Sequence, residues 1–233
     1  MAKLFKATKH IFVMVYNQDY SICRTVEGYE GFDNINEVVD DFKNVQAGWK
    51  TLQGYRGLDV RSRQNADRAY FTELFADLRQ ELLNNSSSGE KTLLWFYYAG
   101  HGVMKNLVYA VCTDKRSPYP LEAQLMNLSS TKNTFVLGIF DCCRAPFPAK
   151  HRGSNEGDGA DGESAYEYIF YYGCPPNKTV PGKSTLATAF FQKLREKAHP
   201  YHGHISLPDS IRHWHGTDGQ ANCNAYSSQD LIL

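Results

Sequence analysis

Ile11-Phe12-Val13-Met14-Val15-Tyr16 is an unbroken apolar run rich in β-branched and aromatic residues, and Asn17 ends it. A short run of this kind reads as a strand buried on both faces. Residues 92–99 repeat the character up to Gly100-His101-Gly102, and residues 134–140 do so up to Asp141-Cys142-Cys143. Shorter strands are expected over 55–60, 107–111 and 169–172. Between these runs the period becomes helical. Val38, Asp41/Phe42, Val45, Trp49 and Leu52 recur over 37–53, with Gly54 as a stop. Phe71, Leu74, Phe75, Leu78 and Leu82 line one face over 69–83, and a polar turn is expected over 84–89. A third helix is expected over 185–197, capped by Ser184 or Thr185, with short closing strands over 205–207 and 230–233. Strands alternating with helices predict an α/β fold whose mostly parallel sheet is covered on both faces.

Residues 149–166 break the pattern: they hold four glycines and almost no large apolar side chain. They read as an exposed, flexible linker inside one domain spanning 1–233, between a part over 1–148 and a part over 167–233. All nine prolines follow residue 117, so regular pairing is expected first and a loop-rich half second.

Composition narrows the function classes. The 233 residues carry 25 Lys plus Arg against 25 Asp plus Glu, which leaves no overall field for nucleic acid. A hydrophobic content of 42% excludes a disordered chain. No apolar run approaches bilayer length and no leader is read at the start, so a cytoplasmic location without membrane association is expected. In a reducing compartment the six cysteines stand for chemistry or packing, not for staples.

The chemistry concentrates at the carboxyl ends of two predicted buried strands, where open parallel sheets bind ligands. One end carries Tyr97-Tyr98-Ala99-Gly100-His101-Gly102 and the other Asp141-Cys142-Cys143-Arg144. A free thiol, with a pKa near 8.5, is mostly protonated at neutral pH, and an adjacent imidazole can take its proton. The glycines beside His101 allow close approach of a substrate backbone, and the Gly102 N–H can serve an oxyanion. Cys142 and Cys143 both stand as candidate nucleophiles at this point.

These two motifs resemble the caspase-like cysteine peptidases, in particular the metacaspase and paracaspase branch. The caspase nucleophile signature is Gln-Ala-Cys-[Arg/Gln/Gly]-Gly with the His about fifty residues upstream. This chain reads Asp-Cys-Cys-Arg-Ala, and Asp two places before the nucleophile is the metacaspase and paracaspase form. The resemblance runs over nearly the whole chain, specific in the two motifs and diffuse elsewhere. It implies a three-layer α/β/α sandwich and a cysteine endopeptidase with Cys143 as nucleophile and His101 as general base and acid. Backbone N–H groups of Gly102 and Cys143 would form the oxyanion hole, and Cys142 would be a packing residue. It also implies an S1 pocket lined by Asp141, Asp41 and Ala99, with Asp40 as the alternative to Asp41. Two carboxylates there select Arg or Lys and repel Asp. Lys150 and Arg152 in the linker are candidate self-cleavage sites. The expected partners are protein or peptide substrates, and related proteins point to either a monomer or a homodimer. The alternative from another class is a catalytically silent caspase-like interaction or scaffold module.

No cofactor or metal is expected. Many metacaspases require calcium and carry an acidic cluster after the His motif, but residues 103–122 hold only Asp114 and Glu122. Glu156, Asp158, Asp161 and Glu163 alternate in the linker without a calcium-loop pattern. His199, His202, His204, His213, His215 and Cys223 match no standard zinc spacing. Pro181-Gly182-Lys183-Ser184-Thr185 lacks the glycine spacing of a phosphate loop and reads as a turn and helix cap.

Overall fold

The computed structural model of the chain describes residues 3–23, 32–50, 58–114, 116–146, 167–174, 186, 190, 222–226 and 229–232. In chain order the elements are β1 (Lys3–Lys6), β2 (Lys9–Tyr16), α1 (Val38–Lys50), β3 (Leu58–Gln64), α2 (Arg68–Ser87), β4 (Thr92–Gly100), β5 (Gly102–Met104), β6 (Val108–Ala110), α3 (Leu121–Ser129), β7 (Thr134–Cys142), β8 (Ala145–Pro146), β9 (Tyr168–Tyr172), β10 (Asn222–Tyr226) and β11 (Gln229–Ile232).

The main sheet has the order β10-β9-β7-β4-β2-β3. Its β3, β2, β4, β7 and β9 run parallel, and β10 closes one edge antiparallel to β9. Segments on both sides of 149–166 therefore share one sheet. β1 and β11 form a separate parallel pair, and β6-β5-β8 a small three-stranded sheet.

Alternation along the buried strands sorts their side chains into two cores. Phe12, Met14, Trp95, Tyr97, Ala99, Leu137 and Ile139 face α1, whose Val38 and Val45 are buried there with Leu186 and Phe190. Ile11, Val13, Val15, Leu94, Phe96, Tyr98, Val136, Phe140 and Cys142 face α2 and α3. The result is the expected α/β sandwich with a mostly parallel sheet. Tyr16 stacks on Phe42 at 4.2 Å between centroids and ties the end of β2 to α1.

Several expectations are corrected. The polar turn over 84–89 is instead the last turn of α2, which runs to Ser87 and leaves through Ser88 and Gly89, the latter at φ +80°. Asn85 is buried there because its amide donates to Thr92 Oγ1 at 3.2 Å and accepts from Lys9 Nζ at 3.3 Å. A polar residue with partners on both neighbouring strands does not end a helix. The strand expected over 55–60 is shifted to Leu58–Gln64. α3 was not foreseen, although Leu121, Leu125 and Leu128 stand at helical spacing and are buried. β1, β5, β8 and β10 were also missed, being short or recognisable only by their partners. Of the helix expected over 185–197, Leu186 and Phe190 are described, both helical and buried. The strand expected over 205–207 lies outside the described residues.

Among the described residues no helix is long and apolar enough to cross a membrane.

Candidate active site

The site is set by two parallel ladders in succession. β4 and β7 pair with Ala99 opposite Asp141 and Gly100 opposite Cys142. One step further on, β5 and β8 pair in parallel with Val103 opposite Ala145. His101 is the joint between β4 and β5, and Cys143 with Arg144 is the joint between β7 and β8. The two motifs, 143 − 101 = 42 residues apart in sequence, thus sit at equivalent joints of neighbouring strands.

Glycine is required on both sides of His101. Gly100 has φ +150°, and a Cβ there would stand 2.5 Å from Tyr20 Oη and 2.9 Å from Tyr98 Oη. A Cβ on Gly102 would fall onto the Cys143 carbonyl oxygen and 2.7 Å from Cys142 Sγ. The backbones of the two motifs are in direct contact there. Val111 N–H donates to the His101 carbonyl at 3.0 Å, which makes Gly102 and Ala110 a non-hydrogen-bonded pair. The Gly102 N–H therefore points away from β6, to the edge of β5 on which β8 pairs.

His101 is half-buried beside two aromatic rings, Tyr20 at 4.6 Å and Phe32 at 4.9 Å between centroids. Its Nε2 lies 2.7 Å from the carbonyl oxygen of Asp33. A carbonyl only accepts, so Nε2 carries the proton and Nδ1 is the basic nitrogen of the neutral ring. His101 is thus in the tautomer whose Nδ1 can take a proton from a thiol.

The neighbouring cysteines differ by strand parity. Cys142, the last residue of β7, points into the core against α2 and α3 and is 1% exposed. Burial holds its thiol well above the ordinary range, and the neighbouring Cys174, Cys143 and Asp141 push the same way. Cys143 lies beyond the strand end and is half-exposed.

The same parity sends Asp141 to the α1 side, with Tyr97 and Ala99. Tyr97 donates to Asp141 Oδ2 at 3.3 Å. Asp41, in the first turn of α1, is partly buried; that burial, followed by the charge of Asp141 and then those of Asp40 and Glu37, pushes its carboxyl up to about 7. Tyr97 is held well above the ordinary phenol range by burial and by both Asp141 and Asp41. Asp41, Ala99 and Asp141 are thereby gathered on one side of the sheet with Tyr97. Asp40 faces solvent instead, its carboxylate 79% exposed and paired with Lys43 at 3.0 Å.

Beneath Cys143 the Arg144 guanidinium is buried, 4.1 Å above the Tyr172 ring. Its Nη1 donates to the Cys174 carbonyl at 3.4 Å. Tyr172 Oη donates to Glu122 Oε1 at 2.7 Å, and Val108 N–H to Glu122 Oε2 at 2.8 Å. Burial raises the Glu122 carboxyl, and Tyr172, Val108 and the Arg144 charge oppose that. Asp114 is engaged with Arg116 through its backbone N–H at 3.4 Å and its side chain at 3.6 Å. Among the described residues neither acid belongs to a group of three or more potential metal ligands.

Lys150, Arg152, Glu156, Asp158, Asp161, Glu163, residues 181–185 and His199, His202, His204, His213 and His215 lie outside the described residues. Cys223 is placed on β10 by its backbone alone. Tyr20, Asp33, Glu122 and Tyr172 were missed by sequence reasoning. Nothing local marks them, since each acts through a partner 50 to 81 residues away in sequence.

An open, mostly parallel sheet with helices on both faces, bearing a His motif and a Cys motif at adjacent strand ends, is a caspase-like α/β sandwich. The chain belongs to the caspase family: the family model described as the caspase domain matches residues 26–213. That match supports a cysteine-type peptidase. A search of curated proteins finds no match.

Proposed function

We propose that the chain is a cysteine endopeptidase that cleaves after Arg or Lys, with Cys143 as nucleophile and His101 as its base. The observation that supports this reading is that His101 and Cys143 occupy equivalent joints of adjacent ladder pairs, with His101 Nε2 on the Asp33 carbonyl. In this reading the Cys143 sulfur attacks the substrate carbonyl carbon while His101 Nδ1 takes the thiol proton and returns it to the leaving amine. Water then hydrolyses the acyl-enzyme. The N–H groups of Gly102 and Cys143 face the developing oxyanion. The acids at Asp41 and Asp141, with Ala99 leaving room between strand and substrate, form the pocket for a basic side chain.

The strand-end motifs favour the metacaspase and paracaspase branch, and the commitment of Glu122 to Tyr172 and Val108 favours activity without calcium. Lys150 and Arg152 are then substrates for the enzyme itself, and one domain, a cytoplasmic location, and a monomer or homodimer complete the reading.

A panel of fluorogenic peptides differing only at the residue before the scissile bond tests it, combined with an arginyl chloromethyl ketone mapped by mass spectrometry. Turnover after Arg or Lys with labelling at Cys143 is expected. Turnover only after Asp overturns the specificity. No labelling of Cys143 favours a silent interaction module.

A further inference from the structure

His101 is flanked by two glycines, the least restrained backbone in the chain, yet its main chain is gripped from both sides by buried phenols. Tyr20, from the loop after β2, and Tyr98, on β4, are both fully buried. The His101 N–H donates to Tyr20 Oη at 2.8 Å, and Tyr98 Oη donates to the His101 carbonyl at 2.8 Å. Both hydroxyls also border Gly100, where a Cβ would stand 2.5 Å from Tyr20 Oη and 2.9 Å from Tyr98 Oη. Each hydroxyl has one proton. Tyr98 directs its own at the His101 carbonyl, with the Val111 carbonyl at 3.3 Å as a second acceptor, and Tyr20 Oη accepts from the His101 amide. The N–H and C=O of His101 are thus each held by a different buried phenol.

Phenylalanine would fill the same space at either position. A buried hydroxyl is costly unless paired, and here both pair with the main chain of His101, Tyr98 also lying 3.3 Å from the Val111 carbonyl. Tyr20 is itself held, its own N–H donating to Asn34 Oδ1 at 2.8 Å. Its ring also lies against the imidazole at 4.6 Å. Displacement of a reacting group by about 1 Å can cost about 100-fold in rate.

We propose that the hydroxyls of Tyr20 and Tyr98 clamp the main chain of His101 and so hold its imidazole at Cys143. Both are positioning residues, and the inference rests on the dyad reading above. It goes beyond that reading because it makes the loop after β2 part of the catalytic apparatus.

The test uses the full chain as wild type, Tyr20→Phe, Tyr98→Phe, the double variant and His101→Ala. The rate of Cys143 alkylation by iodoacetamide is followed against pH, with kcat and KM on an arginyl peptide and a melting curve for each protein. The clamp predicts that Tyr20→Phe lowers the neutral-pH labelling rate and kcat about tenfold and moves the labelling profile toward that of His101→Ala. KM stays unchanged because the acidic pocket lies on the α1 side. The double variant is at least as impaired as either single, since the two hydroxyls hold different groups of the same residue. A labelling profile and kcat like wild type in Tyr20→Phe, while His101→Ala changes both, overturns the clamp and leaves the dyad standing. Labelling indifferent to His101→Ala overturns the dyad and the clamp with it. Should Tyr20→Phe not fold, Tyr98→Phe releases the other side of the clamp and is judged by the same two outcomes.

Discussion

The carboxyl of Asp41, in the first turn of α1, is influenced more by Asp141 at the end of β7 than by its sequence neighbours Asp40 and Glu37. Two acids 100 residues apart thereby share one environment beside Tyr97.

A pH dependence follows from that sharing. The Asp41 carboxyl is raised to about 7, so it is mostly neutral below that pH and ionised above it. In the proposed pocket Asp41 is then without its negative charge in mild acid and bears it in mild base. KM for an arginyl peptide should fall several-fold between about pH 6 and pH 8. In Asp41→Asn this change should disappear. The stability sign is opposite: a raised folded-state pKa favours the fold at low pH and is lost as pH rises through 7. Asp41→Asn should therefore melt higher than wild type at pH 8 and about equally only below about pH 4, as read by thermal denaturation.

Asp141 is buried and accepts from Tyr97, away from solvent. Asp141→Asn should lower kcat/KM on arginyl peptides by about 100-fold, within the range for removing one partner of a buried charge pair. Asp40→Asn, at an exposed ion pair, should change it less than twofold. Steady-state kinetics of the two variants side by side separate the assignments.

Strand parity separates the two cysteines. Cys143→Ala should abolish turnover. Cys142→Ala should keep it and instead lose about 1 kcal/mol of stability, because a small side chain is removed from the core against α2 and α3. Denaturant melts and peptide turnover read the two effects independently.

Tyr172→Phe removes the hydroxyl that donates to Glu122 and keeps the ring under Arg144. The Glu122 oxygen loses its partner in a buried site, and the expected loss is about 1–3 kcal/mol, measured by urea denaturation. Glu122→Gln keeps an acceptor for Val108 and should cost less.

Chelator should leave turnover intact. Calcium titrated into chelated protein, followed by peptide hydrolysis, checks this, and a strict requirement would contradict the commitment of Glu122 to Tyr172 and Val108.

The buried strands were legible because a strand covered on both faces is apolar at every position, as Val13, Phe96 and Leu137 show. α1 and α2 were legible through the spacing of Val38 and Val45 and of Phe71, Leu74 and Leu78. The end of α2 was misread because Asn85 looks like a turn residue until Thr92 and Lys9 are placed beside it. α3 carries its own pattern in Leu121, Leu125 and Leu128, which the surrounding prolines obscured.

By itself the chain determined which residues carry reactive groups and where strands stop, because apolar periodicity and side-chain chemistry are local properties. It therefore displayed the His and Cys motifs and left Asp40 against Asp41, and Cys142 against Cys143, to analogy. The tertiary structure shows Asp41 partly buried and Asp40 exposed to water, and Cys142 in the core with Cys143 beyond the strand end. It alone brought Asp33, Tyr20 and Tyr98 around His101. The reason is physical: strand parity and ladder register decide which side chains share a face, and hydrogen bonds to a backbone carbonyl or amide leave no trace in residue type.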